Sequence, residues 1–300
     1  MKNSRITSSR TLPHLNFLKN SLSELYGFDQ RASYQHAFTY IRQLAINLRN
    51  AMTTKTQEST RIVYCWQYVH SLDFFSRMLS QHIGTNTSSE LHPLIYPFIQ
   101  VTLGAIKLNP SSQYFPLRFH LVEALLRLEK QTGVYIPLVP ILLEPLDSSL
   151  MKTVHSKKSE TVLKPVEFDV TLRVSSNYLS GPSSRVYRDQ VGDKISSLLA
   201  EYFELHALSL AFPELALAPV TAMKKWLKKH GGQCGAKVRH ALSNLVEKLD
   251  EQARWIEDRR KGIPFDPEKL LAGQTGTIDD GQISSSPLTK WIQKQLSVQE

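Results

Sequence analysis

Between Leu91 and Asp147 the chain reads LHPLIYPFIQVTLGAIKLNPSSQYFPLRFHLVEALLRLEKQTGVYIPLVPILLEPLD. Proline and glycine divide this run into three apolar helices. Pro93 and Pro116 stand at helix starts, where a missing N–H costs nothing. Asn109-Pro110 closes the first helix, and Gly133 closes the second with a residue free to turn left-handed. The middle helix carries Leu117, Leu121, Ala124, Leu125 and Leu128 on one side and Phe119, Val122 and Leu126 on another. Its polar stripe is narrow: His120, Glu123, Arg127 and Lys130. A helix with one neighbour needs a single apolar stripe. This one has to be covered on two or more sides, which is the position of a helix inside a stack of helical hairpins. Pro97 and Pro140 fall within helical segments and should bend them.

The flanking sequence continues the pattern. Leu15, Leu18, Leu22 and Leu25 recur at spacings of three and four over Leu12 to Tyr26. Asp29 suits the N-cap of a second helix reaching about Asn50, with Tyr34, Phe38, Ile41, Ala45 and Leu48 as its core stripe. A Thr/Ser loop spans Thr53 to Thr60. A helix from Arg61 to about Gln81 then turns Ile62, Cys65, Val69, Leu72, Phe75 and Leu79 inward. Helix starts recur every thirty to forty residues, in the range of degenerate helical repeats.

Ser148 to Pro165 has little apolar content and four lysines, and reads as a mobile linker. Val166, Phe168, Val170, Leu172 and Val174 then alternate with Glu167, Asp169, Thr171 and Arg173, a strand pattern. A lone strand leaves its backbone groups unpaired. It therefore packs as an extended strap along the helices or pairs with a strand of another chain. Helices return at Tyr187 to Ala211, with Val191, Ile195, Leu198, Tyr202, Leu205 and Leu208 inward. Another starts at Pro213, with Ala216, Val220, Met223 and Leu227 inward. The longest runs from Ala236 to Lys261, with Val238, Leu242, Leu245, Leu249, Ala253 and Ile256 inward. The pattern divides the chain into a tail (1–11), a first helical half (12–147), the linker (148–165), the strap with a second helical half (166–262) and a tail (263–300). That last tail is mostly disordered, with Leu288 to Leu296 a transient helix.

Little in the sequence supports catalysis. His36, His70, His92 and His120 lie on separate helical segments, none at a metal-ligand spacing from another ligand. There is no phosphate-cradling Gly-x-x-x-x-Gly-Lys-Ser/Thr loop and no Gly-x-Ser-x-Gly turn. Cys65 and Cys234 make neither a disulfide framework nor a zinc site, and Cys234, between glycines and basic residues, is the more reactive thiol of the two. No run of eighteen apolar residues suggests a membrane span. Expected, then, are no enzyme activity, no cofactor, no metal and no small-molecule substrate.

Charge is the sharper signal. The 300 residues carry 36 Lys+Arg against 27 Asp+Glu, a net charge of +9. From Leu215 to Val246 there is no Asp or Glu, while Lys224, Lys225, Lys228, Lys229, Lys237 and Arg239 all fall there. Residues four apart stack on one side of a helix, so these lysines form a face away from Val220, Met223 and Leu227. Two readings stand: a contact for an RNA backbone or acidic partner, or a solvated basic face. Trp226 beside them reads as an anchor in the helix pair, with base stacking as the alternative.

Several stretches resemble the nucleolar complex protein 2 family. They are SYQHAFTYIRQLAINLRNA (Ser33 to Ala51), CWQYVHSLDFFSRMLS (Cys65 to Ser80), LHPLIYPFIQVTLGAIKL (Leu91 to Leu108), YFPLRFHLVEALLRL (Tyr114 to Leu128), IPLVPILLEPLD (Ile136 to Asp147), AFPELALAPVTAMKKWLKK (Ala211 to Lys229) and LVEKLDEQARWIEDRRKGIPF (Leu245 to Phe265). The likeness covers about Leu12 to Phe265. Family members are longer, with a charged region ahead of the matching part, so it corresponds to their C-terminal portion. The resemblance implies a nuclear and nucleolar, non-enzymatic scaffold that helps assemble and move large-subunit ribosomal precursors. Its partners would be other nucleolar complex proteins in heterodimers, pre-ribosomal particles and rRNA. It carries over no catalytic or cofactor residue. A helical-repeat adaptor in nuclear transport or chromatin and transcription regulation is the alternative. The expected fold is all-α, a HEAT/armadillo-like helical solenoid with one short extended strand segment. Val166, Phe168, Val170, Leu172 and Val174 would be the protein-partner strap.

Overall fold

The computed structural model describes residues 4–85, 88–152, 164–180, 183–232, 234–261 and 286–299, and the regular elements among them are helical. The chain divides into two units. Unit 1 is Met1–Pro137 with Glu160–Ser183, and unit 2 is Leu138–Ser159 with Ser184–Glu300. Most of the expected linker (153–163) and of the expected C-terminal tail (262–285) lies outside the described residues.

Among the described residues unit 1 holds six α-helices: α1 (Leu12–Tyr26), α2 (Gln30–Thr54), α3 (Gln57–Val63), α4 (Trp66–Ile83), α5 (Ile95–Lys107) and α6 (Phe115–Thr132). Asp29 caps α2, its Oδ1 accepting from the Arg31 and Ala32 amides at 2.9 and 3.1 Å. Lys55, at φ +51°, ends α2 in the left-handed region, so Thr54 is still helical and the expected long loop shrinks to Lys55-Thr56. Thr56 then caps α3 through the Ser59 amide. The helix expected over Arg61 to Gln81 is broken at Tyr64-Cys65 into α3 and α4, which leaves Ile62 54% exposed. Pro97 is the third residue of α5 and Pro140 the second of α7 (Val139–Leu143). First-turn N–H groups have no intrahelical partner, so neither proline interrupts a helix as expected. Pro219 lies inside a later helix, where it removes one intrahelical hydrogen bond without ending the helix.

The helix expected to be covered on several sides is α6. Leu117, Phe119, Leu121, Val122, Ala124, Leu125, Leu126 and Leu128 are all buried, each large side chain stabilising the fold by about 1.5–3 kcal/mol. Its polar stripe meets protein as well. Arg127 Nη1 bonds Asp73 Oδ1 of α4 at 2.7 Å, and His120 Nε2 lies 2.8 Å from the Phe168 carbonyl oxygen. Gly133, at φ +67°, ends α6.

In α1 and α2 only part of the expected apolar row is buried. The residues of α1 buried against α4 are Leu15, Lys19 and Ser23, while Leu18 and Leu25 are exposed. Polar pairs fasten this face: Lys19 to Asp73, and Ser23 Oγ to Gln81 Oε1 at 2.7 Å. In α2 the core row is Ser33, Ala37, Ile41, Leu44, Leu48 and Ala51; it keeps Ile41 and Leu48 of the expected row but replaces Tyr34, Phe38 and Ala45 by the residue before each, and Phe38 is 46% exposed. Small residues let α2 lie close to α5, where a Cβ on Gly104 would meet Leu48 Cδ2 at 2.7 Å. Ahead of α1, Ser4 and Thr7 are buried, and Thr7 Oγ1 lies 2.8 Å from His70 Nε2.

The expected strand is not formed. Phe168–Val170 is a single 3-10 turn, closed by Val170 N–H to Glu167 O and Thr171 N–H to Phe168 O. No strand occurs among the described residues. The alternation instead records which side chains face the helices. Val166, Leu172 and Val174 are buried, Phe168 and Val170 half-buried, and Glu167, Asp169 and Arg173 exposed. Helix-borne groups take up two of the backbone polar groups, with Val174 N–H donating to Gln113 O at 3.0 Å and Phe168 O facing His120.

Unit 2 contains α7, α8 (Ser149–Lys152), α9 (Ser183–Leu205), α10 (Phe212–His230), α11 (Ala236–Arg260) and α12 (Pro287–Gln299). Most of the expected inward positions hold here, with Leu205, Leu208, Leu227 and Ala253 only half-buried. Tyr187, Val191, Ile195, Leu198 and Tyr202 of α9 and Val238, Leu242, Leu245, Leu249 and Ile256 of α11 are buried. A Cβ on Gly192 would meet Val238 Cγ2 at 2.6 Å, so α9 and α11 are in close contact. The α12 helix packs on α11 through Leu288 and Ile292, with Gln252 Oε1 accepting from Ser286 Oγ and the Leu288 amide.

Candidate interaction surfaces

The basic residues expected to act together lie at one end of the α10–α11 hairpin. Lys224, Lys225, Lys228 and Lys229 are exposed, on the side of α10 away from buried Val220, Met223 and Trp226. Lys224 is committed to Asp250, Nζ to Oδ2 at 2.6 Å. Lys225, Lys228 and Lys229 have no ion pair among the described residues. Arg239 reaches back over the turn, its Nη1 3.5 Å from Gly231 O. Lys237, also exposed, faces Asp193, whose carboxyl is pushed up by burial and partly pulled back by that lysine. Lys228 and Lys229 also stand in the last turn of α10, where cations offset the helix dipole. Trp226 is an anchor, its Nε1 donating to Leu146 O at 3.0 Å.

The residues of the strap segment divide by burial. Val166, Leu172 and Val174 are taken up by unit 1 itself, and Phe168 rests edge-on against Phe119 at 5.7 Å. Only Phe168 and Val170 keep partly accessible apolar surface.

A larger feature, absent from the sequence reading, is a groove of about 990 Å³ in unit 1. One face of α4 makes its floor: Gln67, Tyr68, Ser71, Phe74 and Phe75. Leu22 and Tyr26 of α1 form one wall, and Tyr40, Gln43 and Asn47 of α2, with Leu44 below, form the other. Ile62 and Cys65 line one end, and Arg5 is the charged residue of the lining. The floor is braced by Tyr68 Oη donating to Leu44 O at 3.0 Å and by the Tyr26–Phe74 edge contact at 5.4 Å. Two signals could have found it: the leucine stripe of α1, and α2, which has no Asp or Glu from Gln30 to Thr54.

Where α1 meets α4 there is a partly buried charge cluster. Asp73 accepts from Lys19, from Arg77 Nε at 3.2 Å and from Arg127 Nη1 at 2.7 Å. Burial alone would raise the Asp73 carboxyl; Arg127, Lys19 and Arg77 override it and hold it well below the usual carboxylate range. Burial also pushes the Lys19 ammonium down, with Asp73 opposing. His70 is lowered from 6.5 to about 4, mainly by burial and then by Lys19. It is neutral at physiological pH, a core histidine stacked on Trp66 at 5.0 Å. Cys234 differs from expectation: burial pushes its thiol up, against thiolate reactivity, with Arg239 only partly opposing. Among the described residues there is no cluster of three metal-binding side chains, and no helix is long and apolar enough to cross a membrane.

Comparison with known proteins supplies a context. The model of the Noc2p family matches residues 1–295. An uncharacterized NOC2 family protein of Schizosaccharomyces pombe is 42% identical over 270 residues, 89% of this chain and 37% of that protein. Nucleolar complex protein 2 of Drosophila melanogaster is 39% identical over 269 residues, 89% of this chain and 33% of that protein. Nucleolar complex-associated protein 2 of Arabidopsis thaliana is 30% identical over 291 residues, 97% of this chain and 36% of that protein. The chain thus spans about a third of the length of the curated relatives it matches.

Proposed function

We infer the function from one premise: the chain belongs to the Noc2p family. It is a nuclear and nucleolar protein, in keeping with the names of its relatives. Its role is that of a non-enzymatic scaffold within a nucleolar protein complex, helping to assemble precursors of the large ribosomal subunit and move them through the nucleus. The helical hairpins are degenerate HEAT/armadillo-like repeats serving as interaction surfaces. Unit 1 holds another nucleolar complex protein, and the basic end of the α10–α11 hairpin touches pre-ribosomal RNA.

The observation that carries this reading is where large apolar side chains are exposed. Phe17, Phe28, Phe38, Tyr40, Ile62 and Tyr96 of unit 1 are all more than 45% exposed. Of these, Tyr40 and Ile62 border one apolar groove, and contiguous exposed apolar surface is what a protein partner covers. The test is a tagged pull-down of the chain from its own cells, with the eluate run on a density gradient. Co-sedimentation with large-subunit precursors and a second nucleolar complex protein is expected. A light peak free of RNA would overturn the reading.

A further inference from the structure

We propose that the groove between α1, α2 and α4 receives an amphipathic helix of a partner protein, with an apolar ridge on one side and carboxylates along its edge. The inference rests on the scaffold reading and locates its protein contact.

The groove is built from helical rows. Gln67, Ser71 and Phe74 of the floor are four and three apart, and Tyr40, Gln43 and Asn47 of the α2 wall are three and four apart. On the other wall Leu22 has Leu18 four residues before it and Leu25 three after it, both exposed on the same side of α1. These leucines are the amphipathic stripe of α1, yet the helix is fastened to α4 through Lys19, Ser23 and Leu15. Of that stripe Leu15 is buried, Leu22 lines the groove, and Leu18 and Leu25 stand exposed beside it. An apolar helical ridge laid against leucine and aromatic side chains is the usual way a groove of this kind is filled.

Charge decides which helix. The lining contains no carboxylate, and Arg5 has no ion pair among the described residues. The α2 helix has no Asp or Glu, and its exposed Arg42 and Arg49 stand on the side away from Tyr40, Gln43 and Asn47, so the charge that meets an occupant is that of Arg5. A carboxylate-edged occupant is drawn in and a basic one repelled. RNA fits poorly, because one cation in a mostly apolar lining neutralises few phosphates. A second copy of this chain, at net +9, meets like charge.

The test places a photo-crosslinking amino acid at Tyr40, which is 58% exposed, in the full chain in its own cells. The crosslinked peptide is identified by mass spectrometry. The expected product is an acidic segment with apolar residues at i, i+3/i+4 and i+7 from another protein. That segment, made as a fluorescein-labelled peptide, should bind the purified chain. It should bind the Tyr40→Asp/Ile62→Asp variant at least about tenfold more weakly, with circular dichroism and melting unchanged, and Arg5→Glu severalfold more weakly. A crosslink to RNA, to this chain itself or to a basic segment overturns the proposal, as does equal peptide affinity in the folded variant. If the chain sediments with pre-ribosomal particles but Tyr40 yields no such crosslink, the docking site fails and the scaffold reading stands. If the acidic helix belongs to a protein outside any nucleolar complex, the groove stands and the scaffold reading falls.

Discussion

Unit 1 exposes Phe17, Phe28, Phe38, Tyr96 and eight further large apolar side chains, whereas in unit 2 Leu217 alone is so exposed among the described residues. Unit 2 instead carries the acid-free run from Leu215 to Val246, with most of its lysines unpaired among the described residues. Both units bury rows of Leu, Ile, Val and aromatic residues, so the difference lies in what each leaves outside. One surface suits a protein with apolar side chains and the other a polyanion. The α1 helix shows how the first arises. Ion pairs and polar bonds hold its inner face, which frees Leu18 and Leu25 for the outside.

If that exchange is real, breaking the polar side should cost unit 1 alone. Asp73→Asn leaves three neighbouring cations without their carboxylate. It should destabilise unit 1 by about 1–3 kcal/mol, the cost of leaving partly buried polar groups without their partner. Hydrogen exchange should quicken in α1, α4 and α6 and stay unchanged in α10 and α11; uniform quickening would erase the distinction. A comparable effect follows from His70. Its folded pKa, about 4, is below the unfolded 6.5, so the unfolded chain binds the proton first as acid is added. Stability is full above about pH 6.5 and falls by on the order of 3 kcal/mol as pH drops to about 4. Thermal melting across this range should show the slope, and His70→Gln should flatten it. Below it, Asp73 adds a further loss, because the unfolded chain's carboxyl takes up a proton before the folded one does.

Unit 2 has its own control. In Gly192→Ala the new methyl meets Val238, which should cost about 1–3 kcal/mol and loosen α9 and α11 without touching the groove or partner binding. The smallest effect concerns the exposed side chains themselves. Phe28, 86% exposed, is surface in the isolated chain, so Phe28→Ser should shift stability by less than about 0.5 kcal/mol in denaturant melts. A large loss would mean that the apolar surface of unit 1 belongs to its core.

The sequence makes some of this visible, and the rest is hidden for physical reasons. The α6 helix was legible because an all-round apolar helix has few places to be. The rows of α9 and α11 were legible because their single stripe does face the core. In α1 the same spacing was only half informative, since Leu15 is buried but Leu18 and Leu25 are not: a stripe says that one face is apolar, not whose side chains will cover it. What turns α1 is Lys19 meeting Asp73, 54 residues away, and no local pattern carries that. The alternation from Val166 to Val174 reported side-chain partition correctly and backbone hydrogen bonding wrongly. The basic run was readable from composition, and Trp226 as an anchor from its neighbours. The groove was not, because three helices from separate stretches make it.

The central claim is that two surfaces on two units do separable work. Its most direct test compares two folded variants of the full chain in one pull-down from cells, quantifying co-purified protein and crosslinked RNA together. One variant is Tyr40→Asp/Ile62→Asp in the groove of unit 1. The other is Lys225→Glu/Lys228→Glu/Lys229→Glu in unit 2. The first should lose the partner protein and keep direct RNA contact. The second should keep the partner and lose RNA, with the salt slope of binding reduced by about 2. Loss of both by either variant, or of neither by both, would contradict the account.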